Sequence, residues 1–374
     1  MEQPFVYGKS VDGEYFTDRE FETKRLLLNF ENGINSILIS PRRMGKTSLV
    51  KHVAQLVDQE HIKVVFVDAY KCRDEYDFYE ILASSVIQAT SSKLDKMLEN
   101  AKEFLMGIAP QIHYRPEPNT DFTLSLGVSR RTNSPEELLS LPEKIAQKQG
   151  VKIVVCVDEF QQIGEMPNSV MVQKTIRSVW QHHRLTSYCL SGSKRHVMST
   201  LFSSRSLPFY QFGDLFYLKK IPTEKWVPFI IRRFEMAGKL IEEQHAMRIC
   251  QTVDNYSAYV QQLSWNIFAV AGKVVTDDDF QTGFNFTMEQ VSPLFVEQTE
   301  GLSAFQLEFL RAVALGHHRD FTNKEVTSKF RMGSRSNIDK MRRTLVQREL
   351  LEMTDEGYFF ADPLFSVWFK RQMM

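Results

Sequence analysis

The chain has 374 residues, enough for two or three packed units. Apolar residues make up 43% and charged residues 25%, a composition typical of a soluble globular protein. Lys and Arg together number 46, as do Asp and Glu, so no overall charge attracts a polyanion and any nucleic-acid surface must be a local patch.

The start of the chain and its cysteines predict a cytoplasmic protein. The first residues lack a basic stretch followed by an apolar core, so we expect no secretory signal. The longest apolar runs, such as 153–157, fall far short of the roughly 20 residues that cross a bilayer. The cysteines lie far apart without a CxxC pair, and we expect reduced, mostly buried thiols at Cys72, Cys156, Cys189 and Cys250.

The first part of the chain alternates predicted strands and helices. Residues 34–39 predict a short buried strand, 46–60 an amphipathic helix and 63–67 a second strand rich in β-branched residues. A further helix is predicted over 76–90, and it continues as a polar helix to about residue 105. This order is typical of units in which a helix connects two parallel strands.

An insertion separates these elements from the next ones. Residues 107–133 contain three prolines and two segments that alternate apolar and polar residues, so we interpret them as an inserted hairpin or a mobile arm. A helix then restarts with Ser134 as its N-cap and Pro135 at its first position.

Three further strands and a long helical region complete the pattern. The strands are predicted over 151–157, 188–191 and 215–218, with helices between them. From residue 223 to about 275 the pattern becomes entirely helical. The sequence therefore predicts an α/β fold with a parallel sheet and helices on both faces, followed by a helical lid.

The segment between the first strand and its helix carries a phosphate-binding pattern. After Ser40, the predicted contact residues are Pro41, Arg42, Arg43, Met44, Gly45, Lys46, Thr47 and Ser48. Gly45 lets backbone N–H groups turn onto phosphates, Lys46 pairs with the β- and γ-phosphates, and the Thr47 hydroxyl is a ligand for Mg²⁺. Ser40 replaces the first glycine of the pattern, which predicts a slightly different entrance turn. The sequence thus predicts a site for Mg-ATP.

Polar residues follow the two strongest later strands. Asp158 and Glu159 end one of them as in a Walker B element: Asp158 would hold Mg²⁺ through a water, and Glu159 would polarise the attacking water. Ser191 and Ser193 lie at the C-terminal end of the next strand, at the sheet edge where ligands bind. Either serine could contact the γ-phosphate, or instead cap the next helix. The catalytic candidates are Glu159, Lys46 and Ser191.

Together these residues resemble a known family. The segments FTDREFE (16–22), SPRRMGKTS (40–48), VCVDEF (155–160), LSGS (190–193) and DPLF (362–365) are similar, in that order, to the archaeal-type ATPases of the AAA+/STAND-like group. The likeness covers nearly the whole chain. It implies that the first segment lies near the adenine and that the arginine pair of the second flanks the phosphates, although two solvated loop arginines are an equal alternative.

One departure from the family concerns a trans-acting arginine. The family often carries an arginine shortly after Pro-Leu-Tyr-Gly, whereas this chain has Pro-Phe-Tyr-Gln at 208–211. Arg205 and Arg195 remain candidates for such a finger, and Arg232 or Arg233 for a sensor in the helical lid. Each of the four is otherwise an ordinary surface arginine.

The last seventy-odd residues predict a winged helix. A helix over 303–315, a short one opened by a capping box at Thr322, a third over 334–349 and a hairpin over 350–360 follow in order. The third helix and the turn before it are basic, through Arg331, Arg335, Lys340, Arg342 and Arg343. These residues suit contacts with double-stranded DNA. The alternative is docking within the chain or on a protein partner, because the acidic residues of the hairpin would repel DNA.

We therefore predict three domains: an AAA+-like P-loop ATPase core at 1–222, a helical lid at 223–300 and a winged-helix domain at 301–374. The predicted function is hydrolysis of ATP as a conformational switch that moves the C-terminal domain. The predicted partners are ATP and ADP, and a protein partner or a homo-oligomer. One alternative is an ATP-controlled DNA-binding regulator or a transposition-type helper. Another is a nucleotide-binding interaction protein with negligible turnover.

Overall fold

The computed structural model describes residues 3–91, 111–113, 123–125 and 134–373. The chain divides into two compact units, Arg19–Lys219 and a second unit that combines Met1–Asp18 with Lys220–Met374. The domain boundaries that the sequence predicts at 222 and 300 stay predictions.

A parallel sheet forms the centre of the Arg19–Lys219 unit. Its strands are β1 (Ser36–Ile39), β2 (Ile62–Asp68), β5 (Lys152–Asp158), β6 (Thr186–Gly192) and β7 (Asp214–Tyr217). They lie in the order β2-β5-β6-β1-β7, and every pair of neighbours is parallel. Every residue of β1 and β6 is buried, as expected for central strands of a sheet covered on both faces.

The insertion contributes two short strands, β3 (Gln111–His113) and β4 (Thr123–Ser125). They pair antiparallel, as the predicted hairpin requires. The rest of 107–133, with its predicted mobility, and the predicted polar helix to residue 105 lie outside the described residues.

One helix precedes the sheet, and the other helices of this unit lie between its strands. The helices are α1 (Glu20–Asn32), α2 (Lys46–Leu56), α3 (Glu75–Thr90), α4 (Pro135–Leu139), α5 (Leu141–Gln149), α6 (Gln161–Glu165), α7 (Ser169–Trp180) and α8 (Arg195–Ser203). As predicted, Ser134 caps α4, since its side chain accepts a hydrogen bond from the Glu137 N–H with Pro135 at the first position. The predicted α/β fold is confirmed.

Aromatic packing fixes the carboxyl end of β5. The ring of Trp180 stacks on that of Tyr188 with 3.7 Å between centroids. Phe160, which follows the acidic pair directly, is fully buried and meets the ring of Phe209 edge-on at 5.2 Å. Burying an aromatic ring of this size contributes about 2–3 kcal/mol, so the chain is held firmly just beyond the two carboxylates.

A half-buried imidazole in the turn between α7 and β6 makes stability depend on pH. Burial lowers the pKa of His183 to about 4, and its Nδ1 lies 2.8 Å from the Tyr188 hydroxyl. The unfolded chain binds a proton on this imidazole more tightly than the folded chain does. The contribution of neutral His183 to the free energy of unfolding is therefore fully present above the ordinary pKa of 6.5 and is lost as the pH falls toward 4.

We expect His183 to cost the wild-type protein about 2 kcal/mol of unfolding free energy when the pH is lowered from about 7.5 to about 5. Urea unfolding at both values should show this loss in the wild type and not in His183→Gln, whose amide can still meet the tyrosine hydroxyl. His196→Gln, at an exposed position, serves as the control. The same pH dependence in wild type and His183→Gln would contradict the prediction.

The second unit is mainly helical. Its helices are α9 (Thr223–Met236), α10 (Glu243–Thr252), α11 (Ser257–Val270), α12 (Asp277–Glu300), α13 (Ala304–Ala314), α14 (Lys324–Lys329), α15 (Arg335–Gln347) and α16 (Pro363–Met373). An antiparallel hairpin, β8 (Leu351–Thr354) with β9 (Gly357–Phe360), follows α15. The predicted lid helices and the three helices with a wing are therefore present. Within the described part of the chain, no helix is both long and apolar enough to span a membrane.

The predicted capping box at Thr322 is wrong by one residue. Asn323 is the N-cap of α14, and its side chain accepts a hydrogen bond from the Glu325 N–H at 2.9 Å. Asparagine caps a helix at least as well as threonine, so the neighbouring residue takes the position.

The DPLF segment attaches the last helix to the helices before it. The Tyr256 hydroxyl donates to the Ala361 carbonyl at 3.0 Å, and the Tyr259 hydroxyl donates to the Asp362 carboxylate at 2.5 Å. On α16, the ring of Phe365 packs at 5.3 Å from that of Phe295 on α12. These contacts hold the DPLF segment within the second unit.

Candidate functional site

The loop between β1 and α2 has the backbone of an anion site. Gly45 takes a φ of 86° and is the N-cap of α2, and Arg43 is also left-handed with a φ of 67°. Nothing lies within 4 Å of the position that a Cβ on Gly45 would occupy, so the space above it is open. The N–H groups of the first helical turn, with the positive end of the helix dipole, face anions in such a position.

Two side chains of the loop point inward. Lys46 is only 7% exposed, and its Nζ donates to the Ser40 carbonyl at 3.3 Å. Ser40 is fully buried, and its N–H donates to the Gly192 carbonyl at 3.3 Å. Ser40 does not take a positive φ, so the absence of glycine there imposes no strain. Thr47, Arg42 and Arg43 are exposed.

The acidic pair lies against this loop. The Thr47 hydroxyl donates to Asp158 Oδ2 at 2.7 Å, and the Ser191 hydroxyl donates to Asp158 Oδ1 at 2.6 Å. The loop after β1 and the ends of β5 and β6 therefore meet at one carboxylate. A threonine hydroxyl and a carboxylate are hard oxygen donors, which Mg²⁺ prefers, so the residues present fit this ion.

The second carboxylate is held by a separate set of donors. Glu159 is left-handed with a φ of 52°, which turns the chain sharply after the strand. The Ser193 hydroxyl donates to Glu159 Oε2 at 2.6 Å, and the Gln161 amide also donates to Oε2. Ser191 near the end of β6 thus engages Asp158, and Ser193 just after the strand engages Glu159.

Sequence reasoning missed Arg19, which contacts the loop, and Gln161, which contacts the acidic pair. The Arg19 guanidinium, 4% exposed, donates to the carbonyls of Met44 at 3.2 Å and Lys219 at 2.5 Å. Only the resemblance placed its segment near the nucleotide, and a lone arginine carries no local signal. Gln161 was missed for the same reason.

The candidate arginines occupy different surroundings. Arg233 is buried in the second unit, where it donates to the Pro4 carbonyl at 2.7 Å and pairs with Glu14 at 2.9 Å. Its charge is thus used in holding the first residues of the chain. Arg205 and Arg232 are exposed, and Arg195 is half-buried at the start of α8.

The basic residues around α15 do not all face solvent. Four of the five are exposed: Arg331, Arg335, Lys340 and Arg343. Arg342 is half-buried, pairs with Asp339 and lies over the Tyr358 ring at 5.6 Å. It is therefore the least available of the five for a phosphate.

A parallel sheet of this order, with a glycine-lysine-threonine loop beside an acidic strand end, defines a P-loop ATPase fold. Residues 16–204 match the family described as an ATPase domain predominantly from Archaea, and residues 293–371 match a probable winged helix domain. The chain belongs to this archaeal ATPase family, as the sequence resemblance predicted.

Individual proteins show the same relationship. The chain is 27% identical over 171 residues to an uncharacterized ATP-binding protein of Methanocaldococcus jannaschii, a match over 42% of this chain and 45% of that relative's length. A Walker-type ATPase of Pyrococcus abyssi has a similar structure, with a TM-score of 0.73 at 18% identity over 98% of this chain and 99% of the other. The ORC2 protein of Aeropyrum pernix, solved in ADPNP–ADP complexes, gives a TM-score of 0.60 at 14% identity over 97% and 94%. At these identities the two structures establish the fold alone.

Proposed function

We propose that this protein binds Mg-ATP at residues 41–48 and hydrolyses it to ADP and phosphate. The observation that carries the proposal is the 2.7 Å hydrogen bond from Thr47 Oγ1 to Asp158 Oδ2. It joins the phosphate loop to the acidic strand end, so that one metal ion could contact both. Family membership supports the same reaction class.

Each residue of the site has a role in this proposal. Backbone N–H groups around Gly45 bind the phosphate oxygens, and Lys46 neutralises the charge of the β- and γ-phosphates. Thr47 and Asp158 would hold Mg²⁺, which supplies further charge neutralisation on the phosphates when bound. Ser191 orients Asp158 through its 2.6 Å hydrogen bond.

Glu159 is the proposed general base. It accepts a proton from the water whose oxygen bonds to the γ-phosphorus, while the bond between that phosphorus and the β–γ bridging oxygen breaks and ADP leaves. The loss of the γ-phosphate removes one of the two phosphate groups that Lys46 would contact. A bound or absent γ-phosphate is the difference in contacts that a conformational switch requires, with the winged-helix domain at 301–374 as its proposed readout.

Phosphate release tests the proposal and its rivals together. The assay compares wild-type protein with Lys46→Ala over a range of protein concentrations, with and without duplex DNA. Mg²⁺-dependent phosphate release by the wild type but not by Lys46→Ala supports the ATPase activity. A rise in specific activity with protein concentration supports an oligomer. Release no greater than that of Lys46→Ala under every condition would favour a nucleotide-binding interaction protein instead.

A second candidate function, DNA binding controlled by ATP, rests on the exposed basic residues around α15. We expect the triple change Arg335→Gln, Lys340→Gln and Arg343→Gln to weaken binding to generic duplex. The slope of log affinity against log salt should fall by about one for each phosphate that the variant no longer neutralises.

Gel shifts and anisotropy at several salt concentrations measure this effect. A triple change of Lys144, Lys148 and Lys174 to Gln removes the same charge from exposed positions of the other unit and should leave binding unchanged. If the wild type fails to bind duplex even at low salt, where phosphate contacts are strongest, DNA binding is rejected.

A further inference from the structure

A buried glutamine two residues beyond the proposed base contacts it directly. Gln161 opens α6 and is fully buried, although it is a polar residue at the edge of a site. Its Nε2 donates to Glu159 Oε2 and lies 3.4 Å from the Ser193 hydroxyl. The left-handed turn at Glu159 brings the two side chains together.

The carbonyl end of the Gln161 amide lacks a hydrogen-bond donor among the described residues. Gln161 Oε1 is buried and accepts no hydrogen bond from the described residues. A buried acceptor without a partner costs free energy, so packing alone would favour an apolar residue here. The useful end of the side chain is therefore the Nε2 donor, which faces the carboxylate.

The two donors bind the same oxygen of the Glu159 carboxylate. Ser193 Oγ and Gln161 Nε2 both engage Oε2. Within the described part of the chain, no hydrogen bond is donated to Oε1. One oxygen is thus fixed by the protein, and the other is left for a water molecule.

We propose that Gln161, together with Ser193, is a positioning residue that aims Glu159 Oε1 at the attacking water. This inference rests on the proposed function, because it concerns the same carboxylate. Positioning of this kind acts on the rate of the chemical step and leaves nucleotide affinity unchanged, since neither donor belongs to the phosphate loop.

The first test is Gln161→Met, which keeps the size of the side chain and removes the donor. We expect kcat for ATP hydrolysis to fall by about 10- to 100-fold while the dissociation constant for ATP changes by less than about twofold. Gln173→Met is the matched control, because Gln173 is also a buried glutamine with an unpartnered Oε1, on α7 away from the acids. A loss of kcat no larger than in this control would overturn the proposal.

A double-mutant cycle separates positioning from general destabilisation. If Gln161 acts through Glu159, adding Gln161→Met to Glu159→Gln should cause no further loss of kcat. Losses that multiply would assign Gln161 a role of its own and reject the proposal. Ser193→Ala against Ser193→Thr, which keeps the hydroxyl, repeats the test if Gln161→Met does not fold.

The failure of this inference can be told apart from failure of the proposed function. If Glu159→Gln hydrolyses ATP as fast as the wild type, Glu159 is not the general base, and the inference about its positioning residues has no basis. Strong loss in Glu159→Gln combined with normal turnover in Gln161→Met and Ser193→Ala keeps the base and rejects only its positioning residues.

Discussion

Replacing Lys46 by alanine should abolish ATP binding, with a loss of affinity of at least about 100-fold, or nearly 3 kcal/mol. The Lys46 side chain is 7% exposed, and its ammonium group lies within the loop at 3.3 Å from the Ser40 carbonyl. A triphosphate bound against the N–H groups around Gly45 brings its negative charge to this group. Without the Lys46 ammonium group, the negative charge of the triphosphate loses a charge-assisted hydrogen-bond donor at a partly desolvated site.

Titration calorimetry with ATP and Mg²⁺ measures the affinity directly. Lys51→Ala is the matched control, because Lys51 lies on the same helix but is exposed and outside the loop. A thermal shift gives an independent reading, since ligand at 100 times its dissociation constant stabilises the folded state by about 2.7 kcal/mol. The wild type and Lys51→Ala should show this shift and Lys46→Ala should not. Unchanged affinity in Lys46→Ala would defeat the assignment of the loop.

Much of the fold was readable from the sequence because its signals are local. Strands such as β5 are continuous apolar runs, and Ser134 with Pro135 marks a helix start whose cap hydrogen bond the structure contains. The last helix, α16, was not predicted as a helix even though its start carried the same kind of signal. Asp362 accepts hydrogen bonds from the N–H groups of Leu364 and Phe365, with Pro363 at the first position.

The site was readable only in part, because some of its contacts join residues distant in sequence. The run Gly45-Lys46-Thr47 between a strand and a helix, together with the acidic end of a later strand, predicts a phosphate loop. Nothing near Arg19 in the sequence indicates that it meets the carbonyl of the distant Met44. Gln161 is close to Glu159 in sequence, but the left-handed backbone at Glu159, which brings the two side chains together, has no sequence signal. A buried polar side chain becomes visible as part of a site only when its partners are known.

Replacing Glu159 by glutamine should leave ATP binding within a few-fold of the wild type and slow hydrolysis by about 100- to 10,000-fold. Glutamine keeps the size of the side chain, and its carbonyl oxygen can still accept from Ser193 and Gln161 at the position of Oε2. It cannot accept the proton of the attacking water. The phosphate loop, Thr47 and Asp158 are untouched, so binding should persist.

Single-turnover phosphate release, with affinity measured separately, distinguishes the two effects. Glu165→Gln is the control. Glu165 ends α6 and pairs with Lys194 at 2.6 Å, so this substitution removes a carboxylate that is nearby in the sequence but outside the site. Slow turnover in Glu159→Gln with normal turnover in Glu165→Gln supports the base. If Glu159→Gln hydrolyses ATP within a few-fold of the wild type, Glu159 is not the base, and the water must be activated by another group or by the γ-phosphate itself. Because the two oxygens of Glu159 differ in their hydrogen bonds, the variant tests the working oxygen without disturbing the fixed one.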